Sequence, residues 1–79
     1  MNIEVIWSNF LKTIKEQITS LAFDTWFKDT KLLEIKDGKA KIVVPMHVHK
    51  KHLIENYSEM IENTLNLFTG TNFDIDIIL

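Results

Sequence analysis

The sequence lacks cysteine and arginine altogether, and it contains one proline and only two glycines. Without cysteine the chain can form neither disulfides nor thiolate sites, a composition typical of a reducing compartment. Gly38 and Gly70 lie 32 positions apart, which excludes the glycine-rich loops that bind nucleotide phosphates. Nine lysines stand against eleven acidic residues, for a formal net charge of −2. This balance argues against a dedicated binder of the phosphate backbone, because such proteins carry a basic excess.

Long apolar runs are missing as well. No run approaches the roughly 18 residues that a membrane span needs. Glu4 comes early, and no basic segment precedes an apolar block, so we expect no signal peptide and a cytoplasmic protein without membrane contact. Seventy-nine residues, 46% of them apolar and 25% charged, are typical of one globular domain, which we assign to residues 1–79.

The residues that could carry chemistry are few and do not form a recognisable site. His47, His49 and His52 lie close together in HVHKKH, a spacing that would suit a metal. A closed site requires further ligands, and the adjacent Lys50 and Lys51 would repel a cation. We therefore interpret the histidines as a solvated start of a helix. No serine lies in a turn that would expose a strained nucleophile, so we predict no enzyme, no metal and no cofactor.

Three segments show helical periodicity, with apolar residues three and four positions apart. The first covers residues 3–18 and carries Trp7 on its apolar stripe. The second is a short helix at about residues 21–28, with Thr19 and Ser20 as hydroxyl caps. The third covers residues 46–68 after Pro45 and ends before Gly70. Its predicted apolar stripe consists of Leu53, Ile54, Tyr57, Ile61, Leu65 and Phe68.

Between the second and third helices the period changes to two. Asp37-Gly38 is the strongest short hairpin signal and predicts a type I′ turn. A two-residue loop pairs Glu34 with Lys41, and further along it pairs Leu33 with Ile42. The residues expected on the inner face of the hairpin are Leu33, Ile35, Ala40, Ile42 and Val44.

The last segment, NFDIDIIL, also alternates, with Asp74 and Asp76 outward and Phe73, Ile75 and Ile77 inward. The length of the preceding helix makes this third strand parallel to the second strand; its neighbour in the sheet stays open. The predicted fold is a small α+β domain of order α-α-β-β-α-β, a three-stranded sheet packed by helices. This order is KH-like, but the GXXG loop with which K-homology domains clamp nucleic acid is absent.

The segment FDTWFKDT holds three aromatic residues within five positions. Phe23, Trp26 and Phe27 cannot all face inward equally on one short helix. We assign Phe23 and Phe27 to the core. Trp26 is interpreted as a partly exposed interface anchor, and the alternative is that it lies as a lid on the core.

Several sequence features occur together and in order: a Trp near the start of helix 1 (IWSNFLKTIKEQIT), Phe-x-x-Trp in helix 2, a hairpin ending in Val-Pro (KAKIVVP), and Leu-x-x-x-Tyr in helix 3 (HLIENYSEMIENTL). In this order the chain resembles the N-terminal domain, domain I, of the bacterial chromosomal replication initiator DnaA. The resemblance covers essentially all 79 residues. It implies a non-catalytic docking module, because the ATPase and the duplex-DNA-reading activities of that family lie in later domains.

The resemblance also implies partners and positions. Domain I in that family self-associates weakly and helps to recruit the replicative helicase or helicase-loading factors, and it binds regulators of the initiator. Position by position, this points to Thr25, Trp26, Met46 and Val48 for partner binding, and to Trp7 for self-association.

Two positions depart from the family's pattern. Ala22 stands where some members have an acidic residue before the helix 2 Phe, so the helicase contact made through that residue is not implied. Pro45-Met46 and Val48 stand where many members have Pro-Asn and a Phe, so the apolar projection from helix 3 is smaller.

Two other functions remain open from the residues. One is a stand-alone, weak binder of single-stranded nucleic acid that uses the lysines near Trp26, namely Lys28, Lys31, Lys50 and Lys51. Steep salt dependence of binding would mark that function. The other is a small phage or plasmid regulator of the initiator with the same fold, which the length of the gene would distinguish.

Overall fold

A computed structural model describes residues 2–79 and shows the predicted order of helices and strands. The elements are α1 (Ile3–Gln17), α2 (Ser20–Trp26), β1 (Lys31–Lys36), β2 (Lys39–Val43), α3 (His47–Thr69) and β3 (Asp74–Ile78). The α+β fold with a three-stranded sheet packed by helices is therefore confirmed.

Side-chain caps determine where the first two helices begin. The Asn2 side-chain oxygen accepts hydrogen bonds from the backbone N–H groups of Glu4 and Val5, at 3.0 and 3.1 Å. Thr19 Oγ1 accepts from the backbone N–H of Ala22 at 3.1 Å. Such caps satisfy donors that have no partner within the helix. Of the two predicted hydroxyl caps, only Thr19 is the N-cap of α2, because Ser20 is already the first helical residue.

The hairpin turn confirms the prediction from Asp37-Gly38. Both residues have positive φ, 53° and 75°, as a type I′ turn requires. The predicted pairs next to the turn are present, and Lys41 Nζ lies 3.2 Å from Glu34 Oε1.

The predicted register is wrong beyond Glu34. A bulge lies between Leu32 and Glu34, so Leu32 rather than Leu33 pairs with Ile42. The extra residue exchanges the predicted environments of the two leucines, so that Leu32 is buried and Leu33 is 52% exposed. A bulge places two residues opposite one, and here it turns Leu32 toward the helices.

Strand β2 lies in the centre of the sheet, in the order β1-β2-β3. It pairs antiparallel with β1 and parallel with β3, as predicted for its direction, with Ala40 opposite Ile75 and Ile42 opposite Ile77. Asp74 and Asp76 face away from the apolar side on an edge strand, where charges discourage pairing with another chain.

Helix α3 ends at Gly70, which adopts the left-handed conformation (φ 71°) and donates its N–H to the Asn66 carbonyl oxygen at 2.7 Å. The predicted stripe is correct for Leu53, Ile61 and Leu65, which are buried, and Tyr57 packs against the core. It is wrong for Ile54 and Phe68, which are 48% and 38% exposed. The buried residues repeat mostly every four positions, which gives a narrower strip than the prediction assumed.

The core lies between the three helices and one face of the sheet. Its largest fully enclosed side chains are Phe10, Ile14, Phe27, Ile42, Leu53, Ile61 and Leu65. Aromatic rings join α1 to the segment after α2, since the Phe10 and Phe27 centroids lie 6.4 Å apart. None of the helices in residues 2–79 combines the length and the apolar character that a membrane crossing requires.

Candidate partner-binding surface

The end of α2 meets the start of α3. Phe27, directly after α2, is completely buried, whereas Phe23 is partly buried, with its ring centroid 6.5 Å from that of Phe27. Helix α2 itself contains no fully buried residue. It therefore lies on the domain through partial contacts, and these contacts position Trp26.

Trp26 lies between the two predicted environments: it is partly exposed, and it also packs against the core. Its ring stacks on His52, with centroids 3.8 Å apart and planes inclined by 13°. The edge of His49 approaches the same ring, at 5.3 Å and 70°. Contacts of this kind favour one ring orientation, so two histidines of α3 hold the indole in place.

His49 also joins the two helices by a hydrogen bond. Its Nε2–H donates to the Thr25 carbonyl oxygen, at 2.9 Å. Nε2 carries the proton because a carbonyl oxygen can only accept. The last carbonyl groups of a helix have no partner within the helix, and the bond from α3 satisfies one at the end of α2. The other ring nitrogen, Nδ1, is buried and has no hydrogen-bond partner in the structure.

This role of His49 differs from the prediction made from the sequence. We interpreted HVHKKH as a solvated helix start, but His49 is buried. The signal was present in the spacing, because His49 begins the row in which Leu53, Tyr57 and Ile61 follow at intervals of four. Within residues 2–79, no group of three His, Cys, Asp or Glu side chains is arranged to hold a metal.

The four residues that the resemblance assigned to partner binding lie at this junction. Thr25 is exposed, and its hydroxyl donates to the Leu21 carbonyl oxygen at 2.7 Å. Met46, the N-cap of α3, and Val48 are 55% and 52% exposed. Val48 lies one turn before His52, and residues four apart are neighbours on a helix surface. Val48 therefore lies beside the ring on which Trp26 stacks.

Trp7 lies elsewhere, between α1 and β1. It is only 6% exposed, as expected from its place on the α1 stripe. Its ring stacks on Phe10 with centroids 4.2 Å apart, and its Nε1–H donates to the Thr30 carbonyl oxygen at 3.1 Å. One edge borders a shallow concavity of about 520 Å³, whose other lining residues are Ile3, Glu4, Ser8, Leu11, Lys31 and Leu32.

The junction of α2 and α3 presents an open apolar surface rather than an enclosed pocket. A large ring is fixed by stacking, and short apolar side chains lie next to it in solvent. Surfaces with exposed aromatic and apolar anchors are typical of protein–protein contact.

Comparisons with known proteins agree with this fold. The family model of the DnaA N-terminal domain matches residues 4–67. The chromosomal replication initiator protein DnaA of Thermodesulfovibrio yellowstonii is 31% identical over 77 residues, which are 98% of this chain and 18% of that protein's length. One chain of a solved HobA-DnaA (domain I-II) complex from Helicobacter pylori has the same fold. The TM-score is 0.76 at 17% identity, and the match covers 99% of this chain and 98% of the matched chain. With four fifths of its residues matched by the family model, the chain belongs to the family of DnaA N-terminal domains.

Proposed function

We propose that this chain is a non-catalytic protein-interaction domain of a chromosomal replication initiator. In this proposal it acts in the cytoplasm, recruits the replicative helicase or helicase-loading factors to the origin, and receives regulators of the initiator. Membership of the DnaA N-terminal domain family supports the proposal. The fold neighbour from Helicobacter pylori was solved as a complex of DnaA with HobA, which supports a role in binding partner proteins.

The observation that carries the proposal is the fixed position of Trp26. Its ring stacks on His52 at 3.8 Å and remains partly exposed, while Val48 lies one turn away on the same helix as His52. A ring that is already ordered loses little conformational freedom when a partner covers it. Trp26 and Val48 are then the central contacts, with Thr25 and Met46 beside them.

Binding measurements on surface variants test this proposal. The partners are the purified replicative helicase and helicase loader of the source organism, titrated by calorimetry against the domain. Trp26→Ala should weaken binding by about 2 kcal/mol or more, as for anchors in a desolvated contact. Val48→Glu should weaken it further, because docking would bury an unpaired carboxylate.

The matched control is Leu67→Glu, which introduces the same charge at an exposed apolar position near the other end of α3. It should bind as the wild type does. Thermal melts accompany every variant, to show that each is folded. Wild-type affinity in both Trp26→Ala and Val48→Glu would refute the proposal that partners bind at this surface.

We further propose that a second copy of the chain contacts the concavity beside Trp7, which gives weak self-association. The buried Trp7 and the exposed Ser8 both line the concavity. Substituting Trp7 would disturb the core, so the test uses Ser8→Glu, with the adjacent exposed Asn9→Glu as control. Sedimentation over a range of concentrations should show weaker association for Ser8→Glu alone. Equal association of both variants and the wild type would contradict the assignment.

The proposal includes no catalysis and no cofactor. Within residues 2–79 the hydroxyl of Thr25 is engaged with its own helix, and His49 Nε2 is engaged with the Thr25 carbonyl oxygen. Neither is arranged as a nucleophile with its base. Calorimetric titration with ATP should show no saturable binding, and saturable binding would overturn this part of the proposal.

A further inference from the structure

Positive charge is concentrated in one part of the sequence. Residues 38–54 contain four lysines, three histidines and no acidic residue, whereas the remaining residues contain five lysines and eleven acids. Of these four lysines, Lys41 forms the one ion pair found among residues 2–79, with Glu34. Lys50 and Lys51, in the first turns of α3, therefore have no carboxylate partner within the described part of the domain.

The same turns of α3 also expose apolar side chains. Val48, Lys51 and Ile54 follow one another at intervals of three, so they lie in one row on the helix surface. Val48 and Ile54 are 52% and 48% exposed. A shallow concavity of about 380 Å³ lies along this row, lined by His47, Lys50, Lys51, Ile54 and Glu55. Apolar and cationic groups thus alternate along this row, and Glu55 is the one carboxylate among the residues that line the concavity.

The start of α3 adds to this positive potential. Met46, its N-cap residue, makes no side-chain hydrogen bond to the first backbone N–H groups. Those groups carry the partial positive charge of the helix dipole. The effect supplements the two lysines and favours a partner of opposite charge.

We infer that this face, comprising His47, Val48, Lys50, Lys51 and Ile54, extends the docking surface and selects a protein segment with carboxylates beside an apolar anchor. The inference rests on the proposed function and specifies the chemistry of the partner. The carboxylates pair with Lys50 and Lys51, and the apolar anchor covers the row from Val48 to Ile54. Charge complementarity of this kind determines specificity and the rate of association.

The apolar row distinguishes a protein partner from a nucleic acid. Binders of the phosphate backbone carry a basic excess and commonly use arginine, but this chain has no arginine and a net charge of −2. An exposed isoleucine about one turn after the two lysines contributes little to a phosphate contact. It contributes much more when a partner's apolar side chain buries it.

Two synthetic amphipathic helical peptides with the same apolar face provide the test. One carries glutamates at the borders of that face, and the other carries glutamines. In a titration of the ¹⁵N-labelled domain followed by NMR, the glutamate peptide should shift the amides of residues 47–55. It should bind roughly tenfold more tightly than the glutamine peptide, which corresponds to about 1.4 kcal/mol from two exposed ion pairs. Equal affinity, or shifts confined to other surfaces, would overturn the inference.

Variants identify the groups responsible. The double variant Lys50→Gln/Lys51→Gln should lose the preference for glutamate, whereas Lys12→Gln/Lys36→Gln, which neutralises two exposed lysines elsewhere, should retain it. Ile54→Ser should weaken the binding of both peptides, whereas the control Leu67→Ser should not. A single-stranded oligonucleotide that shifts the same amides more strongly than the glutamate peptide would show that nucleic acid is the occupant, and would also overturn the inference.

The test separates this inference from the proposed function. If Trp26→Ala weakens binding of the helicase or loader while Lys50→Gln/Lys51→Gln does not, the docking surface stands and its acidic selectivity is refuted. If neither variant weakens that binding, the proposed function fails as well. Thermal melts show that each variant is folded before its binding is interpreted.

Discussion

Replacing His49 by alanine removes two of the contacts through which α3 holds the end of α2. The substitution eliminates the 2.9 Å hydrogen bond to the Thr25 carbonyl oxygen and the edge contact with the Trp26 ring. The hydrogen bond contributes about 0.5–1.5 kcal/mol, and the ring contact contributes a similar amount, about 0.5–1.5 kcal/mol. We therefore expect His49→Ala to lower the free energy of unfolding by about 1–3 kcal/mol.

This loss is large for a small domain. At about 0.05–0.15 kcal/mol per residue, the whole stability of a chain of this length is on the order of 4–12 kcal/mol. The variant should therefore still fold, but its urea midpoint, followed by circular dichroism, should fall clearly. Relative to wild type, the variant should show a larger increase in the hydrogen-exchange rate of the α2 amides than of the β2 amides, because the lost contacts belong to α2.

Two variants separate the contributions. His49→Phe retains a ring but has no donor, so it should lose mainly the hydrogen-bond part. His52→Ala removes the imidazole ring on which Trp26 stacks but leaves the hydrogen bond from His49 to Thr25. Helix α2 should therefore remain attached. A free energy of unfolding of His49→Ala within about 0.5 kcal/mol of the wild-type value, the range of ordinary surface substitutions, together with unchanged exchange in α2, would refute this role of His49.

Four further substitutions test the core, the bulge in β1 and the C-terminal cap of α3. Ile61→Ala empties a fully buried site on α3 and should cost about 2–5 kcal/mol in denaturant unfolding; a loss under about 1 kcal/mol would contradict its place in the core. Leu32→Ala should cost about 2–5 kcal/mol, while Leu33→Ala should stay within about 0.5 kcal/mol, and the reverse order would mean that the bulge is misplaced. Gly70→Ala meets no atom within 4 Å but must adopt φ 71°, so it should lower stability by about 1 kcal/mol in thermal melts, and no loss would contradict the left-handed cap.

Local signals in the sequence predicted the hairpin well but only close to its turn. Asp37-Gly38 determines the conformation of two residues, and the pair Glu34–Lys41 follows from it. The bulge at Leu33 depends instead on which leucine the helices can cover, and that is a property of the tertiary packing. The same limit applies to β3, whose direction could be predicted but whose neighbour could not.

The helix periodicity shows a similar limit. It placed Leu53, Ile61 and Leu65 correctly, because any helix packed on one side buries such a row. It could not give the width of the buried strip, so Ile54 was assigned to the core. The environment of Trp26 depends on His49 and His52, which are more than twenty positions away in the sequence, and no local pattern indicates that contact.

The central place of β2 has a consequence for how the domain is assembled during synthesis. The hairpin of β1 and β2 joins neighbouring segments and can form early, as can α3. Pairing of β2 with β3, in contrast, joins segments separated by the whole of α3, and such distant contacts form slowly. On the ribosome one edge of β2 stays open until residues 74–78 have emerged. Until then the nascent chain presents unpaired backbone groups to other strands, which is a route to misassembly.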